Sequence, residues 1–156
     1  MRRVDREITD PAAVDSIILA CQICRLGFSH PGGAYIVPLN FGFSHEGGVR
    51  VFHFHGASVG RKMELMAENP LAGFELDTGY ELVPGEQACE FSARFQSVIG
   101  TGTLHVVEGH AEKAESLKLL MRHETGRMGW DFPEAMLKRT GVFRLTVTEI
   151  SCKSHP

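Results

Sequence analysis

The hydrophobic positions of this chain follow a helical period in three places and a strand period in six. Val14, Ile17, Ile18 and Cys21 recur at helical spacing behind Asp10-Pro11, which predicts a helix over about 11–22. The same period predicts helices over residues 61–68 and about 111–124. Alternation bounded by turn residues predicts strands over 25–29, 34–43, 49–55, 71–76, 88–107 and 142–150.

These elements predict a mainly β fold with helices on its flanks. Most strands follow one another without an intervening crossover helix, which disfavours a parallel doubly wound sheet. About six antiparallel strands with helices at the start, middle and late part favour a small β-barrel. At 156 residues, without repeats or a low-complexity linker, the chain is expected to form one domain over residues 1–156.

Two strands carry residues that interrupt regular pairing. Pro38 cannot donate a ladder hydrogen bond, so it is expected at a sheet edge or a bulge, where a ligand can reach free backbone groups. A simple edge-strand residue is the alternative for Pro38. Gly100 and Gly102 indicate a bulge or a close backbone approach.

The junction between a strand and a helix at residues 52–62 is a candidate phosphate site. Alternation breaks at Gly56, and the predicted helix starts with Arg61 and Lys62, so free N–H groups and two cations meet. A triphosphate-binding loop needs four residues between its glycines and Ser or Thr after the lysine, whereas Met63 follows here. A singly phosphorylated ligand fits better. An ordinary turn with a solvated basic start is the alternative.

Composition narrows the function classes. Hydrophobic residues make up 43% and charged residues 22%, with a net charge of −3, which argues against nucleic acid as a partner. No apolar run reaches the ~18 residues of a membrane span, and residues 1–7 lack the apolar core of a secretion signal. We therefore expect a cytoplasmic protein with reduced cysteines. Cys21 and Cys24 fit a buried apolar face better than zinc or dithiol chemistry, because they fall near a helix end.

Two histidines lie on one strand. His53 and His55 are two residues apart, so they project to the same face, but no third metal ligand is apparent nearby, and no metal site is predicted. His110 and His123 lie in another element. His55 is the candidate catalytic residue, as a neutral donor or proton relay, and His53 is as well explained as a buried structural histidine.

Three groups of residues together resemble the FMN-binding split-barrel superfamily. They are residues 35–42, 54–57 with 60–62 and 69–70, and 97–102. The branch they resemble is that of the 5-nitroimidazole-resistance proteins, which are related to pyridoxamine 5′-phosphate oxidase. The likeness runs from about residue 2 to 150 and includes Arg2 and Arg3.

The resemblance implies a six-stranded antiparallel split barrel that binds FMN. It places the flavin ring against the backbone of one strand, at Val37, Pro38, Leu39 and Asn40. It places the phosphate on two cations, Arg61 and Lys62. The residues that line the rest of the cofactor are His55, Gly56 and Ala57, with Ser97 and Val98 approaching from a neighbouring strand. It also implies a homodimer with the flavin at the subunit interface. For Ser97, a solvent-facing strand hydroxyl is the alternative.

The function expected from these observations is FMN-dependent reduction of a small planar electrophile, such as a nitroaromatic compound, with an external electron donor. Gln96 and Phe95 depart from the arginine and tyrosine common in the nitroimidazole branch, which bears on the substrate and not on the flavin. Two alternatives stay open. One is oxidation of a pyridoxamine phosphate-like amine, and the other is a non-catalytic flavin- or haem-binding carrier or sensor.

Overall fold

The computed structural model of the protein describes residues 4–155. Within that range the chain forms eight strands and four α-helices, with two short 3₁₀ turns. The strands are β1 (Glu7–Ile8), β2 (Cys24–His30), β3 (Gly33–Leu39), β4 (Gly42–Glu46), β5 (Val49–Gly56), β6 (Leu71–Val83), β7 (Ser92–Val107) and β8 (Gly141–His155). The helices are α1 (Pro11–Ala20), α2 (Arg61–Glu68), α3 (His110–Thr125) and α4 (Glu134–Arg139). Arg2 and Arg3, which the resemblance includes, lie outside the described residues.

All eight strands belong to one antiparallel sheet. Its order is β3-β2-β6-β7-β8-β5-β4, and β1 pairs with β8. The predicted mainly β fold with flanking helices is confirmed, and the sheet is consistent with a split barrel that is not strictly closed. The described strands number eight where six were expected. The segment 34–43 divides at Asn40 and Phe41, because Phe41 is fully buried there and the chain passes from one sheet edge to the other.

An aromatic core fills the concave side of the sheet. The Phe52 ring centroid lies 5.4 Å from that of Phe41 and 5.1 Å from that of Phe74. The Phe54 and Phe143 rings stack at 5.4 Å. Helix α1 adds Val14, Ile17 and Ile18 to the same cluster. The residue between Phe52 and Phe54, His53, faces the other side of the sheet and is itself buried, so both faces of β5 are covered at this point.

Strand β7 carries the close backbone approach that its glycines predict. A Cβ on Gly100 would collide with the carbonyl of Glu149 and with the Phe74 ring. The pairing of β7 with β8 shifts register between Thr101 and Gly102. The expectation of a bulge and close contact at Gly100 and Gly102 is therefore confirmed, and it reflects direct packing of backbone on backbone.

Helix α3 is fixed to the sheet by a buried histidine. The His53 ring nitrogens lie 3.0 Å from the Ser116 hydroxyl and 3.1 Å from the Ser44 hydroxyl, and the residue is 8% exposed. Burial, assisted by the positive charge of Arg144, lowers the pKa of His53 to about 4. His53 is thus the structural histidine that one of the two interpretations proposed.

The cysteine pair is also structural. Cys21 and Cys24 are both buried in the core. Burial raises the pKa of Cys21 to about 12 and raises that of Cys24 as well, which keeps both thiols protonated and unreactive. Among residues 4–155, no cluster of three or more His, Cys, Asp or Glu side chains could hold a metal ion. Within the same range, no helix is both long and apolar enough to cross a bilayer.

We predict that His53 makes the fold sensitive to acid. The unfolded chain protonates this histidine near its ordinary value of 6.5, and the folded chain only near a pKa of about 4. Between these pH values the unfolded state binds more protons than the folded state. The contribution of neutral His53 to stability is therefore complete above pH 6.5 and is lost as pH falls toward 4. The free energy of unfolding, measured by urea denaturation, should fall by roughly 1–3 kcal/mol more in the wild type than in His53→Gln.

The matched control is His105→Gln, which removes an exposed histidine from β7 and should keep the wild-type pH dependence. Equal pH dependence of the wild type and His53→Gln would show that His53 is not held neutral in the folded chain.

Candidate functional site

Strand β3 is one edge of the sheet. Among the described strands it pairs only with β2, where Pro38 stands opposite Arg25. Pro38 is exposed, whereas Val37 and Leu39 are partly buried against the core. The expected edge position of Pro38 is confirmed. The backbone of residues 37–40 therefore has no strand partner on its outer side.

The second part of the site is the passage from β5 into α2. Gly56 ends β5 opposite Gly141 of β8, and Gly60 precedes α2 with a φ of 108°, a left-handed conformation that favours glycine. Helix α2 begins at Arg61 and ends at Glu68, as the sequence predicts. No side chain caps its first turn. The free N–H groups of this first turn and the side chains of Arg61 and Lys62 therefore belong to the same helix start.

Lys62 folds back over the end of β5. A Cβ built on Gly56 would lie 2.8 Å from Lys62 Nζ, so the absence of a side chain at Gly56 makes room for the ammonium group. The Nζ atom lies 5.8 Å from the centroid of the Phe143 ring. Among residues 4–155, Lys62 forms no ion pair with a carboxylate. An ammonium group placed this way is available to an anion.

Arg61 extends from the start of α2 toward β3. Its guanidinium carbon lies 4.6 Å from the centroid of the Tyr35 ring, and Nη2 lies 2.9 Å from His30 Nε2. Arg61 also forms no ion pair within the described residues, whereas Arg25 contacts the carboxylates of Glu75 and Asp77. Two adjacent unpaired cations thus connect the start of α2 with the β2–β3 hairpin. Phosphate is the anion that such a pair binds most effectively.

His55 faces away from Lys62. It is half-buried on β5 opposite Val142, and it projects to the same face as His53. Successive strand residues alternate, so His55 points to the opposite side from the direction in which Gly56 meets Lys62. Ala57 follows in the loop, where its carbonyl would lie 2.9 Å from a Cβ on Gly141. Gly56 therefore lies beside Lys62, and the His55 side chain points away from it.

Ser97 and Val98 are not on a strand that neighbours the other candidate residues. They lie on β7, and β2 and β6 separate β7 from β3, which corresponds to roughly 14 Å at the usual strand spacing. Val98 is fully buried in the core, and Ser97 stands opposite Asp77 and Lys153. Within one chain β7 is therefore not a direct neighbour of β3 or β5, and the contact of Ser97 and Val98 with the cofactor stays a prediction. The strands are separated because strand order in the sheet does not follow order in the sequence.

The structure adds two residues that the sequence did not assign to the site. His30 and Tyr35 of the β2–β3 hairpin contact Arg61, which is 31 residues from His30 along the chain. No local spacing or motif links positions so far apart. The signal that could have found them is aromatic character on the hairpin, since Tyr35 stands on the strand that carries Pro38.

A shallow trough lies on the outer face of the sheet. Gly27 of β2 stands opposite Gly73 of β6, and neither carries a side chain to fill the surface there. Three adjoining cavities of about 350, 320 and 400 Å³ share Gly27. We call this region the outer trough. The exposed side chains of Ile36 and Leu71 also line it.

Comparison with solved structures identifies proteins of the same architecture. A protein from Bacteroides thetaiotaomicron, provisionally assigned to 5-nitroimidazole antibiotic resistance, superposes with a TM-score of 0.81 at 27% identity, over 95% of this chain and 86% of that one. The flavocytochrome Anf3 from Azotobacter vinelandii superposes with a TM-score of 0.79 at 24% identity, over 100% of this chain and 72% of that one. The FAD and haem binding protein from Mycobacterium smegmatis superposes with a TM-score of 0.77 at 19% identity, over 96% of this chain and 73% of that one. The last two likenesses concern the fold alone.

Sequence comparison gives the family. No curated protein sequence matches the chain at a significant level. The sequence profile of pyridoxamine 5′-phosphate oxidase, however, matches residues 10–154, which include both the β3 edge and the β5–α2 junction. The chain belongs to the pyridoxamine 5′-phosphate oxidase family.

Proposed function

We propose that this protein is an FMN-dependent oxidoreductase that reduces a small planar electrophile, such as a nitroaromatic compound, with electrons from an external donor. The observation that carries the proposal is the unpaired state of Arg61 and Lys62 beside an open sheet edge. The two cations match the charge of one phosphate monoester. The likeness to a protein provisionally assigned to nitroimidazole resistance supports a nitroaromatic substrate.

The residues of the chain act by binding and orientation. Lys62 and Arg61 hold the phosphate through charged hydrogen bonds, and the free backbone of residues 37–40 contacts the edge of the ring. Gly56 and Ala57 let the chain approach the cofactor closely. When bound, FMN supplies the electron transfer, and the protein sets its position and surroundings. In our proposal His55 is the proton donor to the substrate and makes no contact with the phosphate, because its side chain points away from Lys62.

We propose that a second copy of the chain completes the site. Ser97 lies on a strand that neighbours neither β3 nor β5, so in our proposal its contact with the flavin comes from the partner. The outer trough is a suitable interface, because Ile36 and Leu71 are each 61% exposed and Ile99 is 49% exposed on the same face. A two-fold dimer would cover these apolar side chains on both copies.

Oxidation of a pyridoxamine phosphate-like amine is the second candidate, which the family match favours. That reaction needs further cations for the phosphate of the substrate. The cation opposite Pro38 is Arg25, and Glu75 and Asp77 already neutralise it. We therefore place this reaction behind reduction of an uncharged planar substrate.

Spectroscopy and turnover test the proposal directly. The purified protein should show a flavin spectrum, release FMN on denaturation and oxidise a reductant in the presence of nitro compounds, amines or quinones. A colourless protein that does not take up added FMN would contradict the cofactor. A yellow protein without turnover on any of these substrates would favour a carrier or sensor. Cytoplasmic location remains an expectation from the sequence.

Lys62→Ala should weaken FMN binding and leave the fold intact. The change removes a charged hydrogen bond worth ~1.5–3 kcal/mol, which corresponds to about 10- to 100-fold in affinity. Fluorescence titration at low and moderate salt measures the FMN affinity of the variant and of the wild type. Lys118→Ala is the matched control, because Lys118 pairs with Glu115 on the surface of α3. Equal affinities of Lys62→Ala and the wild type would mean that the basic pair is only a solvated helix start.

Ile36→Arg should dissociate the dimer. In the dimer, the arginine introduced in the outer trough would face either the same arginine of the partner or an apolar surface of the partner. Both contacts would weaken the association of the two chains. Light scattering should give a mass of two 17.2 kDa chains for the wild type and of one for the variant. Val49→Arg, at an exposed site on β5, should stay dimeric. A wild-type monomer with full FMN occupancy would refute the shared site.

His55→Ala should separate catalysis from cofactor binding. A positioned acid or base contributes about 10²- to 10⁴-fold, so turnover should fall by that factor. FMN content and melting temperature should change little, because His55 is half-buried and points away from Lys62. Single-turnover reoxidation of the flavin by a verified substrate measures the step. Normal reoxidation would remove His55 from the mechanism.

A further inference from the structure

His30, at the end of β2, has a hydrogen-bond donor in front of each ring nitrogen. The backbone N–H of Gly32 donates to Nδ1 at 3.1 Å. On the other side of the ring, Nε2 lies 2.9 Å from Arg61 Nη2. A neutral imidazole has one acceptor nitrogen, and the protonated ring has none. At most one of the two contacts can therefore be a hydrogen bond.

The Gly32 amide decides which nitrogen accepts. Its N–H direction is set by the turn between β2 and β3, and the His30 ring lies directly over Gly32. A Cβ on Gly32 would lie 2.8 Å from Cε1 of that ring. We take Nδ1 as the acceptor, because the direction of its donor is set by the backbone, and the neutral ring then carries its proton on Nε2. The Nε2–H group of His30 and an N–H group of Arg61 then point toward each other.

Two donors in this position need a shared acceptor. The Arg61 guanidinium is held over the Tyr35 ring at 4.6 Å, which fixes its plane near His30. Within residues 4–155, neither His30 nor Arg61 forms an ion pair with a carboxylate. An anion with several oxygens accepts from both groups at once and removes the conflict between them.

We propose that His30 is a direct ligand of a phosphate monoester, which it binds together with Arg61. The inference rests on the proposed function in taking that monoester to be the phosphate of FMN. It adds a ligand from the β2–β3 turn, so the phosphate is held by the turn as well as by Arg61 and Lys62. The site then discriminates between phosphorylated and unphosphorylated flavins through three side chains.

The test compares FMN with riboflavin, which has the same ring and no phosphate. His30→Ala should weaken FMN binding about tenfold and leave riboflavin binding unchanged in fluorescence titrations. Gly32→Ala, whose Cβ displaces the ring, should act in the same direction. His105→Ala, at an exposed site on β7, is the matched control. Unchanged FMN affinity in His30→Ala would overturn the proposal, as would an equal loss for riboflavin.

The Arg61→Ala variant serves as a second background. It distinguishes a His30 that binds the phosphate directly from a His30 that only orients Arg61. If His30 contacts the phosphate itself, His30→Ala should still weaken FMN binding in protein that already carries Arg61→Ala. No further loss in that background would mean that His30 acts only through Arg61, and the proposal would be wrong. Circular dichroism melting of each variant checks that the fold is retained.

Titration with phenyl phosphate distinguishes the sources of the anion. If the wild type binds this compound but not FMN, and His30→Ala loses that binding, His30 is a phosphate ligand and the proposed cofactor is wrong. If the wild type binds FMN and His30→Ala binds it equally well, the cofactor stands and the role of His30 is refuted. A wild type that binds neither compound overturns both.

Discussion

The packing of aromatic rings around Phe52 is the constraint on which the arrangement of the site depends. Phe52 is fully buried and lies within 6.4 Å, between ring centroids, of Phe41, Phe43, Phe54 and Phe74. These rings come from β4, β5, β6 and the β3–β4 connection, so filling the space between them curls the sheet. The curl brings the two edges of the sheet to the same region. The end of β5 and the start of α2 are thereby held near β3, although the sheet order puts four strands between β5 and β3.

Most charged and histidine side chains in this fold serve to join elements. Asp15 on α1 contacts His45 at 2.6 Å and Arg50 at 2.7 Å, which ties the helix to β4 and β5. His123 lies 2.8 Å from the carbonyl of Phe41, and His155 lies 2.6 Å from that of Ala93. Several other cations of the described residues, such as Lys113 and Arg144, also lack a carboxylate partner. Arg61 and Lys62 are set apart by being adjacent at the start of a helix, with Arg61 against the Tyr35 ring and Lys62 against Gly56 and the Phe143 ring.

The family assignment and the chemistry of the site limit the function in different ways. Relatives of the same architecture are described as a flavocytochrome and as a FAD and haem binding protein, so the fold alone does not select one cofactor or reaction. The selection depends on side chains. Phe95 and Gln96, which differ from the nitroimidazole branch, lie opposite His155 and Ser154 at the end of β8, whereas the cations of the proposed phosphate site start α2. In our proposal, differences in substrate arise there without a change in how the phosphate is held.

The sequence by itself determined the features that depend on local backbone chemistry. The missing N–H of Pro38 required a sheet edge or a bulge, and the glycines at 100 and 102 indicated a bulge or a close backbone approach. The bounds of α2 followed from Gly60 and Asn69-Pro70. Only the tertiary structure decided which distant segments meet. It divided residues 34–43 into two strands, placed Ser97 three strands from β3, and set His30 against Arg61. These outcomes depend on sheet order and core packing, and residues far apart in sequence carry no local signal of either.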